Sequence, residues 1–140
     1  MELTGGCLCG QVRYRSTGAP LRQFLCHCRD CQRSSGSAFH HGVAVPREGF
    51  TLLSGQPAVY RSTADSGRAI ARHFCVNCGS GLWNEIELRP GVLGLRAGTL
   101  DDPGLVPPRY EIYARSKAGW LVTDVLESHP DMTPVPKPTR

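Results

Sequence analysis

Cys7-Leu8-Cys9, Cys26-His27-Cys28-Arg29-Asp30-Cys31 and Cys75-Val76-Asn77-Cys78 contain all seven cysteines of this chain. No cysteine stands alone. In a reducing compartment, close thiol pairs flanked by turn residues are more often metal ligands than disulfides, and an odd total cannot pair off within one chain. Seven thiolates divide naturally into a closed set of four and an open set of three. A structural zinc takes four protein ligands in a tetrahedron and often joins two short pairs from distant parts of a chain. Cys7, Cys9, Cys75 and Cys78 fit that role. Each pair is followed at once by a glycine, Gly10 or Gly79, where a backbone turning round a metal gains from a residue tolerant of positive φ.

The remaining cysteines, Cys26, Cys28 and Cys31, supply three thiolates from six consecutive residues and leave one coordination position open. In an extended stretch Cys26 and Cys28 share a face while His27 points away from it. The Cys28-x-x-Cys31 step then bends the chain into a short helix through Gln32, Arg33 and Ser34. His40, His41 and His73 are open as alternative fourth ligands. A zinc held by three thiolates is a weak Lewis acid, yet it can bind an incoming thiol as a nucleophilic thiolate, which suits sulfur chemistry at a carbonyl carbon. Water activation of the deaminase kind needs an H-x-E…P-C-x-x-C pattern, which this sequence lacks.

Working outward, the 140 residues make about one domain, and 40% hydrophobic content argues against wholesale disorder. The 16 Gly and 11 Pro indicate many turns and short strands. The formal charge of +4 falls to about +1 once seven thiolates and two zinc ions are counted. Arginines are scattered rather than clustered, so a nucleic-acid partner is not expected. The chain shows no apolar run of membrane-span length and no secretory signal at its start. The expectation is a cytoplasmic protein with no membrane partner.

Alternation over 11–15, 68–74 and 110–115 reads as strand, and further strand candidates are 39–45, 50–53, 59–61, 92–97 and 120–122. The fold class is therefore mainly β. Residues 1–127 are expected to form one zinc-binding domain and 128–140, with Pro130, Pro134, Pro136 and Pro138, an extended tail.

Four motifs carry a resemblance: G-G-C-x-C-G-x-V-R-Y (Gly5 to Tyr14), C-H-C-R-D-C-Q-R-S-S-G (Cys26 to Gly36), F-C-x-x-C-G (Phe74 to Gly79) and G-T-L-D-D-P (Gly98 to Pro103). Over residues 3 to 126 the chain resembles the glutathione-dependent formaldehyde-activating enzyme (GFA) family, which also includes centromere protein V. That resemblance implies a β-tent fold of several small antiparallel sheets organised around a structural zinc. It also implies a second, catalytic zinc held by Cys26, Cys28 and Cys31, with Cys7, Cys9, Cys75 and Cys78 holding the structural ion. The implied activity is that of a carbon–sulfur lyase resembling S-(hydroxymethyl)glutathione synthase, with a glutathione-like thiol and an aldehyde as partners. The alternative is a zinc-stabilised binding module without catalysis. Many relatives carry a His where this chain has Glu111.

Several residues are candidates for a surrounding pocket. Arg29, Gln32 and Arg33 follow the central cluster and could bind a carboxylate of the thiol. Phe39, Trp83 and Trp120 could pack over a ligand or fill the core. Asp101 and Asp102 precede Pro103 and read as a turn, with proton transfer as the alternative use.

Overall fold

In the computed structural model, residues 1–64 and 67–133 are described. Short alternations set the strands, with inward positions apolar or small. Leu3 and Gly5 turn inward from β1 (Glu2–Gly6), as do Tyr14 and Ser16 from β2 (Arg13–Thr17). There follow β3 (Arg22–Cys26), α1 (Arg29–Ser35), β4 (His40–Pro46) and β5 (Phe50–Ser54). The remaining strands are β6 (Ala58–Thr63), β7 (Ala69–Phe74), β8 (Gly81–Ile86), β9 (Val92–Arg96), β10 (Tyr110–Ile112) and β11 (Glu127–Ser128).

The protein is mainly β, as expected. Its strands form a three-stranded sheet, β1-β2-β5, and an eight-stranded sheet in the order β11-β10-β3-β4-β9-β8-β7-β6. Pairing is antiparallel except at one end of the larger sheet, where β10 runs parallel to both β3 and β11. Parallel neighbours need long crossovers. The chain between β3 and β10 supplies one, and the excursion from Tyr113 to Leu126 supplies the other.

The two sheets meet over a shared core. Tyr14, fully buried, lies 5.6 Å from Phe50 and 6.3 Å from Trp83 between ring centres, and Phe50 lies 4.8 Å from Trp83. Val43, Val45, Leu82, Leu93 and Leu95 fill the same core from the larger sheet. Each such side chain contributes on the order of 2 kcal/mol through burial. The Tyr14 hydroxyl is 2.7 Å from Thr99 Oγ1, and burial pushes its pKa up to about 12.

One expectation from the sequence changes here. Trp120 to Val122 form no strand: Trp120 and Val122 are exposed in the loop between β10 and β11, where their side chains find no apolar surface to cover. Trp83 belongs to the core and stacks on His73. Of the segment read as an extended tail, residues 128–133 are described. His129 N–H donates to Glu111 O at 3.0 Å, and Tyr113 N–H donates to Asp131 O at 3.2 Å. Pro134, Pro136 and Pro138 lie outside the described residues.

Candidate metal centres

The hairpin loop after β1 and the loop between β7 and β8 bring two cysteine pairs face to face. Cys7 and Cys9 Sγ lie 3.5 Å apart, and Cys9 and Cys75 Sγ 3.8 Å. A tetrahedral zinc with Zn–S near 2.3 Å requires sulfurs about 3.8 Å apart, whereas a disulfide requires about 2.0 Å. All four sulfurs lie within 4.8 Å of one another, so this donor set fits zinc. Local turns build each half. Cys7 N–H donates to Val12 O, Val12 N–H donates to Cys7 Sγ at 3.2 Å, and Gly79 N–H donates to Cys75 O at 2.8 Å. Gly10 (φ 83°) and Gly79 (φ 78°) both take the left-handed conformation, which a side chain would oppose. Ser80 clamps the halves: its Oγ accepts from Leu8 N–H at 3.0 Å and lies 3.3 Å from Cys78 Sγ. Hydrogen bonds from Ser80 lead in lowering the Cys78 thiol to about 5, favouring the thiolate that a metal needs.

The second cluster is local in sequence. Cys26 ends β3, Cys28 caps α1 and Cys31 lies in its first turn, with all three Sγ within 4.8 Å of one another. Cys28 Sγ accepts from Cys31 N–H at 3.3 Å. Cys26 and Cys31 are buried and Cys28 is half-buried. Contact with the Cys26 and Cys31 thiols pulls Cys28 down to about 2, while sharing hydrogen bonds with Cys28 pushes Cys26 up. A bound cation would displace the protons shared among these thiols. Among the described residues no histidine joins this group of donors. His41 Nε2 is bonded to Val106 O at 2.9 Å, His73 pairs with Glu85 at 3.3 Å, and His40 is buried in β4 opposite Cys26. Three sulfurs would therefore leave a metal one position for an outside ligand.

Behind this cluster lies a polar network that local sequence patterns do not disclose. His27 is fully buried, and its Nε2 is 3.0 Å from Glu111 Oε1. The parallel pairing of β3 and β10 makes this contact by setting Leu25 beside Glu111 and Cys26 beside Ile112. Glu111, also buried, accepts from Thr123 Oγ1 at 2.6 Å, Ser128 Oγ at 2.8 Å and Lys117 Nζ at 3.2 Å. Burial alone would raise its pKa. Hydrogen bonds from Thr123, Ser128, His27 and Lys117 overturn that and hold it at about 2. Tyr113, left-handed at φ 53°, packs its ring against the cysteines from the end of β10.

The other sequence candidates fall as follows. Gln32 commits both amide hydrogens, to His27 O at 2.7 Å and Ser116 O at 3.1 Å, and accepts from Arg29. Arg29 and Arg33 are exposed. Phe39 sits edge-on to His27. Asp101 is engaged by Arg13 through contacts of 2.9 and 2.6 Å and by Thr4, and Asp102 caps a 3-10 turn at Gly104 N–H. The turn reading of this pair therefore agrees with the structure.

The family model for the glutathione-dependent formaldehyde-activating enzyme matches residues 2–116, most of the chain and both cysteine clusters. The chain belongs to this family. A Halomonas elongata relative named "Putative glutathione-dependent formaldehyde-activating enzyme" is 27% identical over 133 residues, covering 91% of this chain and 84% of the relative. Relatives of the same name from Aspergillus flavus and Aspergillus oryzae are each 27% identical over 115 residues, which is 79% of this chain and 59% of theirs. This chain thus spans about three-fifths of the fungal proteins' length. A crystal structure of a Rhodobacter sphaeroides protein superposes with a TM-score of 0.56 at 18% identity, covering 70% of this chain and 87% of the other, and it supports the fold. Among the described residues no helix is long and apolar enough to cross a membrane.

Proposed function

We propose that this member of the GFA family is a zinc-dependent enzyme that joins a glutathione-like thiol to an aldehyde, or cleaves the adduct, at a carbon–sulfur bond. The observation that carries the reading is a cluster of three cysteine sulfurs with no fourth donor among the described residues, in a chain whose family is named for glutathione and formaldehyde. A zinc held there supplies an open position that favours an incoming thiol in its thiolate form.

The chain's own residues prepare that position. Cys26, Cys28 and Cys31 fix three donors on the rigid junction of β3 and α1. The His27–Glu111 contact anchors that junction from behind, and Tyr113 packs over part of the cluster. In the net reaction sulfur bonds to the carbonyl carbon and the carbonyl π bond opens. The proton lost from sulfur appears on the new hydroxyl, so no oxidant or reductant is required. In this scheme Cys7, Cys9, Cys75 and Cys78 hold a structural ion and two zincs are bound in all.

The test mixes zinc-replete protein with glutathione and formaldehyde under conditions where the adduct exchanges slowly, and follows line broadening or magnetisation transfer by NMR. Acceleration of exchange over buffer is expected. No acceleration with any thiol and aldehyde pair, from protein shown to hold two zincs, would leave the binding-module alternative.

A further inference from the structure

Between α1, β4 and the Gly79–Gly81 segment, with no cysteine in its lining, lies a cavity of about 450 Å³, a size typical of small-molecule sites. Its walls come from residues that follow each cysteine cluster in the chain, and from β4 and β9. Ser34 and Ser35 follow Cys31 on α1, and Ser35 Oγ donates to Cys31 O at 2.7 Å. His40 stands opposite Cys26 in the β3–β4 register, while Gly79, Ser80 and Gly81 follow Cys78. Among the described residues the cavity's one arginine or lysine is Arg96, at the end of β9.

Arg96 lies within electrostatic reach of the Cys31 thiol but, among the described residues, meets no carboxylate. Its Nη2 donates to Ser34 Oγ at 3.1 Å, its Nε is buried without a partner, and among the described residues no carboxylate pairs with it. A half-buried guanidinium in that condition is costly, and a carboxylate is its natural bidentate complement. The fold makes room for it: a Cβ at Gly81 would stand 2.6 Å from Arg96 Nε, so glycine at this position lets the side chain lie across β8.

We infer that this cavity is a carboxylate subsite in which Arg96 selects thiols bearing a negative charge. The inference rests on the thiol–aldehyde reading above and narrows its substrate class to acidic thiols, with uncharged or cationic thiols disfavoured. Arg96, rather than Arg29 or Arg33, is then the charged residue that reads the substrate; neither of those lines the cavity.

Zinc-replete wild-type, Arg96→Gln, Arg96→Lys and Gly81→Ala proteins are titrated calorimetrically with glutathione, S-methylglutathione and glutathione diethyl ester. Wild type is expected to bind glutathione about 10-fold or more tighter than its diethyl ester, with S-methylglutathione reporting the carboxylate contribution in the absence of a thiol. Arg96→Gln should lose that preference by weakening the acids alone, with zinc content unchanged. Arg96→Lys should restore part of it, and Gly81→Ala should shift in the same direction as Arg96→Gln by displacing the guanidinium. Equal weakening of acids and ester would show Arg96 serving only the charge of the sulfur cluster, and would overturn the subsite. So would a wild type that does not distinguish these ligands or binds none of them. Turnover with formaldehyde is scored separately. Binding of acids without carbon–sulfur chemistry contradicts the proposed reaction and spares the subsite. Turnover indifferent to thiol charge contradicts the subsite and spares the reaction.

Discussion

The two cysteine clusters share an element and differ in almost everything else. The four-cysteine group is assembled from loops 66 positions apart, at Cys9 and Cys75, and it ties the small sheet to the large one. Its sulfurs are served by their own turns and by Ser80, and Cys9 is exposed. The three-cysteine group comes from one continuous stretch, closes no long loop, and has Cys26 and Cys31 buried. Behind it stands the Glu111 network, and beside it the Arg96 cavity. A metal that closes a long loop stabilises chiefly by restricting the unfolded chain. One held within six residues contributes little of that kind, so an elaborate setting around it points to chemistry.

The largest expected effect comes from opening the closed centre. Cys75→Ala should cost on the order of 5 kcal/mol or more and leave little folded protein, read by circular dichroism and chemical-shift dispersion. A Cys75→Ala protein that folds like wild type would erase the contrast. At the other centre, Cys28→Ala should abolish turnover and lower bound zinc from two to one while the folded spectrum persists. Retained turnover there would contradict the catalytic assignment.

A smaller effect tests the network. The Glu111 carboxyl, held at about 2 against 4.5 in the unfolded chain, contributes roughly 3 kcal/mol at neutral pH. Because the folded pKa is the lower one, this stability is present above about pH 4.5 and is lost as pH falls towards 2. Glu111→Gln should therefore be less stable than wild type in urea at pH 7, and the gap should narrow through that acid range. Loss of zinc on acidification is common to both proteins and drops out of the comparison. A gap that stays constant with pH would remove the ionised carboxylate from the account. The smallest effect is at Trp120, which is 75% exposed. Trp120→Ser should change stability by less than about 0.5 kcal/mol, measured by the same titration.

The two cysteine clusters were legible because their members are encoded locally, two or three residues apart, and in the four-cysteine group next to turn glycines. The alternation that became β2 was legible for a similar reason, since period-two burial leaves its mark in a few residues, and β7 and β10 were marked by alternating sequence although their burial does not alternate. Elsewhere the signal was absent or misleading. Arg22–Cys26 and Gly81–Ile86 lack clean alternation because burial runs over consecutive residues there, at Leu25–Cys26 in β3 and Leu82–Trp83 in β8. Trp120–Val122 has strand composition but no partner. The His27–Glu111 contact joins residues 84 positions apart through a parallel pairing that neither segment announces. Arg96 shows no local sign that Gly81 makes space for it.

The most direct measurement is metal content combined with sulfur coordination, by elemental analysis and zinc X-ray absorption on protein purified under reducing conditions. Two zinc ions per chain are predicted, one with four cysteine sulfurs and one with three cysteine sulfurs plus an exchangeable ligand that glutathione replaces. A single zinc, or a second zinc whose fourth ligand is a protein histidine that glutathione does not displace, would contradict the division into a closed and an open centre.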